Sequence, residues 1–147
     1  MRLGDIMSEE VETIAASAPL ADAREQMSRQ EVRHLLVTDG ASVVGVLSQR
    51  DLSRKGRGNG TLKVRDAMST PVVIAGPRTN VREAANLLRG NRIGCLPIVD
   101  DGRPVGMITV SDLLDLIGKG VSRAPAGSQH WEEKHRGRRK RQYTPGR

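Results

Sequence analysis

Phenylalanine is absent from the 147 residues, and tryptophan and tyrosine occur once each. The core must therefore be aliphatic, assembled from Val, Leu, Ile, Ala and Met. A single cysteine, Cys95, excludes an internal disulfide and a cysteine-built metal cluster. No apolar run reaches membrane-spanning length, and Met1 to Met7 lacks the apolar stretch of a signal peptide, so a soluble cytoplasmic protein without a membrane span is expected. The histidines are His34, His130 and His135, with no spacing suited to metal ligation. There is no nucleophile elbow, no P-loop and no Gly-rich turn of Rossmann spacing. These absences leave no catalytic constellation, and the expectation is a protein that is not an enzyme and requires no cofactor.

The formal charge of +7 is unevenly placed. Residues 1–118 hold 15 basic and 15 acidic side chains, whereas from Lys119 onward 9 basic residues face only Glu132 and Glu133. The high isoelectric point thus belongs to the tail and says nothing about the surface of the body.

Displacing the sequence by 61 positions sets it on itself. Asp5 then meets Asp66, Met7 meets Met68, Ser8 meets Ser69 and Val11 meets Val72. Farther on, Ala23 meets Ala84, Leu35 meets Leu96, Asp39 meets Asp100, Gly45 meets Gly106, Asp51 meets Asp112 and Leu52 meets Leu113. One register held without a gap over so many positions marks a tandem duplication, with copies over 1–57 and 58–118 and a tail over 119–147.

Within each copy the hydrophobic period changes in a fixed order. A short opening segment (Asp5-Ile6-Met7, Asp66-Ala67-Met68) leads to β-like runs at Val11–Ile14 and Val72–Ile74. Leu20, Ala23 and Met27 then recur at helical spacing, as do Val81, Ala84 and Leu88. Pro19 suits the first turn of the first helix, and Thr79 stands at the N-cap position of the second. Runs at Leu35–Val37 and Val43–Leu47 flank Asp39-Gly40-Ala41-Ser42, and Leu96–Val99 and Pro104–Ile108 flank Asp100-Asp101-Gly102-Arg103, which predicts two hairpins. A closing helix follows Ser48 and Thr109. The order is β-α-β-β-α in each copy, an α+β fold. At about fifty residues each, the copies are too small to bury much surface alone, so they are expected to pack on each other. The glycine-alternating stretch Lys55–Gly60 reads as a flexible linker, and the chain after Gly118 as disordered.

Two turns carry the chemistry: Gly45-Val46-Leu47-Ser48-Gln49-Arg50-Asp51 and Gly106-Met107-Ile108-Thr109-Val110-Ser111-Asp112. In each, a strand runs into a helix with a hydroxyl at the junction and an acid three residues later. This is the capping-box pattern, which needs no ligand. The same arrangement also suits a ribose-phosphate unit, with donors for phosphate and a carboxylate for the sugar hydroxyls.

These turns, together with the hairpin sequence Leu96-Pro97-Ile98-Val99-Asp100 and the opening Asp-x-Met, resemble the CBS domain, and the resemblance spans both copies. It implies two β-α-β-β-α units related by pseudo-two-fold symmetry, with clefts that take AMP, ADP, ATP or S-adenosylmethionine as regulatory ligands. It also implies a homodimer that acts on a regulated protein the sequence does not identify. Carried onto this chain, the first cleft would use Ser48 and Asp51, with Arg33 and His34 toward phosphate and Val73, Ile74, Thr79 and Ala84 around the base. The second would use Thr109 and Asp112 with Arg92, Thr13, Ile14, Ala18 and Ala23. Gly94 and Cys95 stand there in place of Arg33 and His34, so the first cleft looks better equipped for a charged phosphate.

The tail invites a competing reading. Lys134, Arg136, Arg138, Arg139, Lys140 and Arg141 lie between Trp131 and Tyr143, a composition that suits nucleic acid, with the CBS pair as a dimerisation platform. The bland alternative is a solubilising end.

Overall fold

The computed structural model describes residues 1–55 and 60–119. The linker reading over 56–59 and every reading of the tail from 120 on, including the basic residues Lys134 to Arg141, lie outside them. The described residues form two compact units, Val11–Val72 and a second in which Met1–Glu10 joins residues 73–119.

The first unit comprises β1 (Thr13–Ala15), α1 (Leu20–Gln30), β2 (His34–Asp39), β3 (Ser42–Ser48), α2 (Gln49–Lys55) and α3 (Val64–Ala67). Its sheet has the order β1-β2-β3, with β1 parallel and β3 antiparallel to β2. A parallel pair needs a crossover, and α1 supplies it. The three residues read at helical spacing, Leu20, Ala23 and Met27, are the ones α1 buries. Pro19 is the N-cap of that helix rather than a residue of its first turn; its extended backbone (φ −60°, ψ 142°) sets it just before the helical dihedrals begin. The expected run Val11–Ile14 becomes strand only from Thr13 and continues one residue past it, to Ala15. The core joins these helix residues to Ile14, Leu35, Val37, Leu47 and Leu52, and also to Val64 and Ala67 of α3.

The second unit holds a 3-10 turn at Leu3–Asp5, then α4 (Val81–Asn91), β4 (Cys95–Asp100), β5 (Arg103–Thr109) and α5 (Val110–Gly118). β4 and β5 form an antiparallel hairpin closed by Asp101 (φ 52°) and Gly102 (φ 77°), the two positive φ angles that fit the twist of a two-residue loop. Two expectations fail here. Val72–Ile74 forms no strand, and only Ala75 makes a single parallel bridge to Ile98. A turn takes over at once: the Thr79 N–H donates to the Gly76 carbonyl (3.1 Å) and the Gly76 N–H to Thr79 Oγ1 (3.1 Å). The Thr79 hydroxyl is thereby occupied, and the N-cap of α4 is Asn80, whose side chain accepts the Glu83 N–H at 2.8 Å.

Sequence repeats and compact units do not coincide at their opening segments. In the first unit, Ser69 from the second copy pairs with Val46 (N–H to carbonyl, 2.9 Å), and a Cβ on the buried Gly45 would meet Met68 Sδ at 2.8 Å and the Ser69 carbonyl at 3.1 Å. In the second unit, Ser8 from the first copy exchanges hydrogen bonds with Met107 (3.1 and 3.0 Å), and a Cβ on Gly106 would meet Met7 Cγ at 2.8 Å and the Ser8 carbonyl at 2.9 Å. Leu3, fully buried, donates its N–H to the Thr79 carbonyl at 2.8 Å and joins Ala84, Leu88, Leu96, Ile98 and Ile108 in the second core. Each opening segment therefore completes the unit that holds the other copy's hairpin. The motif glycine is what lets that segment lie against the strand.

Candidate functional site

The first turn starts where β3 ends. The Ser48 N–H donates to Asp51 Oδ2 at 2.8 Å, the Ser48 hydroxyl donates to the same oxygen at 2.9 Å, and the Asp51 N–H donates back to Ser48 Oγ at 3.2 Å. The Gln49 N–H goes to the Arg33 carbonyl at 3.0 Å, which ties the turn to the start of β2. Asp51 is the one charged side chain among the buried described residues, 9% exposed. Its two side-chain bonds both fall on Oδ2, and among the described residues none falls on Oδ1.

The second turn repeats this scaffold. The Thr109 N–H donates to Asp112 Oδ2 at 2.8 Å and the Asp112 N–H to Thr109 Oγ1 at 3.2 Å. The Val110 N–H goes to the Gly94 carbonyl at 3.1 Å, as Gln49 does to Arg33. Both turns are thus reciprocal capping boxes, which satisfy helix N–H groups without any ligand.

The surroundings differ. His34 stands opposite Ser48 in the β2–β3 ladder, half-buried, with Arg33 exposed beside it. Burial lowers the His34 pKa from its ordinary value; the Asp51 carboxylate opposes that shift, and the Arg33 guanidinium adds to it. Opposite Thr109 stands Cys95, 4% exposed. Burial, helped by the Asp112 carboxylate, pushes its thiol up to about 12. A neutral buried thiol is a small apolar filler rather than a nucleophile.

Of the residues expected to line the first cleft, Arg33, His34, Ser48 and Asp51 come together in the first unit, while Val73, Ile74, Thr79 and Ala84 belong to the second. Of those expected for the second cleft, Arg92, Thr109 and Asp112 belong to the second unit, and Thr13, Ile14, Ala18 and Ala23 to the first. Ala23 and Ala84 have no exposed surface and serve as core contacts of α1 and α4. Arg92 is the left-handed C-cap of α4 (φ 53°), with its N–H on the Arg89 and Leu88 carbonyls. Asn80 went unremarked in the sequence, although Asn80-x-x-Glu83 is itself a cap signal. Among the described residues no group of three or more His, Cys, Asp or Glu could hold a metal, and no helix is long and apolar enough to cross a membrane.

Residues 3–58 and 64–119 each match the family model of the CBS domain. The chain belongs to the CBS-domain family. Its CBS pair is 38% identical over 114 residues to inosine-5'-monophosphate dehydrogenase of Nitrosopumilus maritimus, covering 76% of this chain and 23% of that enzyme. The chain therefore spans under a quarter of the enzyme's length. A CBS domain-containing protein of Bacillus subtilis, YhcV, is 29% identical over 113 residues, 74% of this chain and 80% of its own. Among solved structures, the CBS domain pair of protein MJ0100, in complex with 5'-methylthioadenosine and S-adenosyl-L-methionine, superposes with a TM-score of 0.74. It covers 81% of this chain and 97% of that one at 23% identity, which is a likeness of fold.

Proposed function

We propose that this CBS pair is a regulatory module without catalysis of its own, which binds an adenosine-containing ligand (AMP, ADP, ATP or S-adenosylmethionine) at its strand-to-helix turns. The observation that carries the reading is the Ser48–Asp51 turn. Asp51 is held by two bonds on one oxygen, so the other is available to ribose hydroxyls; the Ser48 hydroxyl is spent on holding Asp51, and Arg33 and His34, at the start of the strand facing Ser48, are the groups offered to phosphate. The adenosine-type ligands in the MJ0100 structure support the ligand class. The Thr109–Asp112 turn, with Gly94 and Cys95 beside it, suits a less charged ligand. Binding alone regulates nothing; the ligand must favour one arrangement of the protein over another, which a partner protein then reads.

A homodimer is part of the same proposal. On α5, Val110, Leu114 and Ile117 are 42%, 62% and 65% exposed at spacings of four and three residues, the spacing at which a helix seam packs against another helix.

Calorimetry with AMP, ATP and S-adenosylmethionine on the full chain tests the ligand reading. Heat of binding is expected for at least one of them, and Asp51→Ala should weaken it tenfold or more, about 1.4 kcal/mol. Absence of heat with all three at millimolar concentration would sink the proposal.

A further inference from the structure

His34 is half-buried, faces Ser48 across the ladder and lies within the field of both Asp51 and Arg33. Resting on the ligand reading above, we propose that the first turn binds phosphate together with a proton. His34 takes up that proton as the anion arrives, so that phosphorylated ligands bind more tightly as the pH falls from 8 toward 7, and unphosphorylated adenosine does not.

The charged groups on the elements flanking His34 decide the sign. On α2 are Asp51 and the exposed Arg50; on its own lead-in are Arg33 and Glu31; on the segment entering β1 is Glu12, whose carbonyl accepts the Leu36 N–H at 2.9 Å. β3 places Ser48 opposite His34 and no ionisable group beside it. Among the protein's own groups, desolvation disfavours the imidazolium, Arg33 repels it, and only the capped Asp51 favours it. His34 is therefore mostly neutral at neutral pH. A phosphate beside Arg33 and His34 adds negative charge and screens Arg33, and both changes favour the charged ring. Binding that raises a pKa through the working pH takes up protons, and affinity then rises as pH falls, by up to about tenfold per unit for one proton. The second turn cannot do this, because Cys95 carries no proton-linked positive charge in either state.

The test is calorimetry of the full chain with AMP and with adenosine at pH 7.5, in buffers of different ionisation enthalpy. AMP binding to the wild type should take up a fraction of a proton beyond that taken up with His34→Gln, which subtracts the titration of the phosphate itself. Adenosine should take up none. Titration of the His34 ring by NMR in the wild type, with and without AMP, gives the same answer should His34→Gln fold poorly: its pKa must rise on binding. AMP binding with equal proton uptake in wild type and variant, or with an unmoved His34 pKa, overturns the inference and leaves the ligand reading standing. No binding of either AMP or adenosine removes both.

Discussion

Across the ladder from Ser48 stands a half-buried His34, preceded by an exposed Arg33; across from Thr109 stands a buried Cys95, preceded by Gly94. Between these pairs the backbone is the same, down to the 2.8 Å bond from hydroxyl-residue N–H to carboxylate and the 3.2 Å bond back. The closing helices diverge as well: α2 exposes Arg50, Arg54 and Lys55, whereas α5 exposes Val110, Leu114 and Ile117. A capping box that holds a helix start must be kept in both copies for the fold to close. The residues facing it are not under that demand, and they have become ionic in one copy and apolar in the other. That contrast is what turns one of two caps with the same backbone bonds into the better phosphate candidate.

The comparison can be broken most sharply at the opening segments, where each unit borrows from the other copy. Leu3 and Val64 are counterparts, both fully buried, Leu3 in the core of α4, β4 and β5, and Val64 in that of α1, β2 and β3. Leu3→Ala should cost about 2–5 kcal/mol in urea denaturation. Val64→Ala removes about two methylene equivalents, so its transfer term is about 1.6 kcal/mol before any cavity is counted. Hydrogen exchange reads out the exchange of segments: Leu3→Ala should loosen α4, β4 and β5, and Val64→Ala should loosen β2 and β3. The reverse pattern would mean that each opening segment packs with its own copy.

That exchange was the part of the fold the sequence hid. The hairpins and the buried stripe of α1 were legible because period and turn chemistry are local. The partner of each opening segment was not, because Met7 and Met68 are the same residue type and Gly106 and Gly45, which they face, are counterparts, so either pairing satisfies the pattern. At the site, the hydroxyl–acid turns and the Arg33-His34 versus Gly94-Cys95 difference could be read directly. The role of Thr79 could not: Thr79 and Asn80 are both cap residues, and only the turn at Gly76 decides which one the helix uses. The strand expected at Val72–Ile74 failed for a related reason, since apolar β-branched residues signal extension but not a partner to extend along.

The closing helices sharpen the contrast at the surface. If α5 is a dimer face, Leu114→Asp should bring like charges together in a desolvated seam and weaken the dimer by at least about a hundredfold, near 2.7 kcal/mol. The counterpart change on α2, Ser53→Asp, should leave the dimer intact. Sedimentation equilibrium distinguishes them, and a dimer indifferent to Leu114→Asp would place the interface elsewhere.

The smallest effect separates the two turns by pH. His34 has a lowered folded pKa, so the stability it contributes is present above its unfolded value of 6.5 and is lost as pH falls through the folded one. Cys95 works at the other end. Its folded thiol stays protonated to about 12, whereas the unfolded thiol ionises near 9.0, so its contribution is complete below 9.0 and is lost as pH rises toward 12. One unit above the unfolded value the loss is about 1.4 kcal/mol. Between pH 8 and pH 10 the wild type should therefore lose about that much more stability than Cys95→Ala, as measured by urea midpoints. His34→Gln should flatten the acid limb and leave the alkaline one unchanged. An alkaline limb equally steep with and without Cys95 would mean that the thiol ionises in the folded protein. Asp112 would then share its turn with a thiolate rather than with a filler.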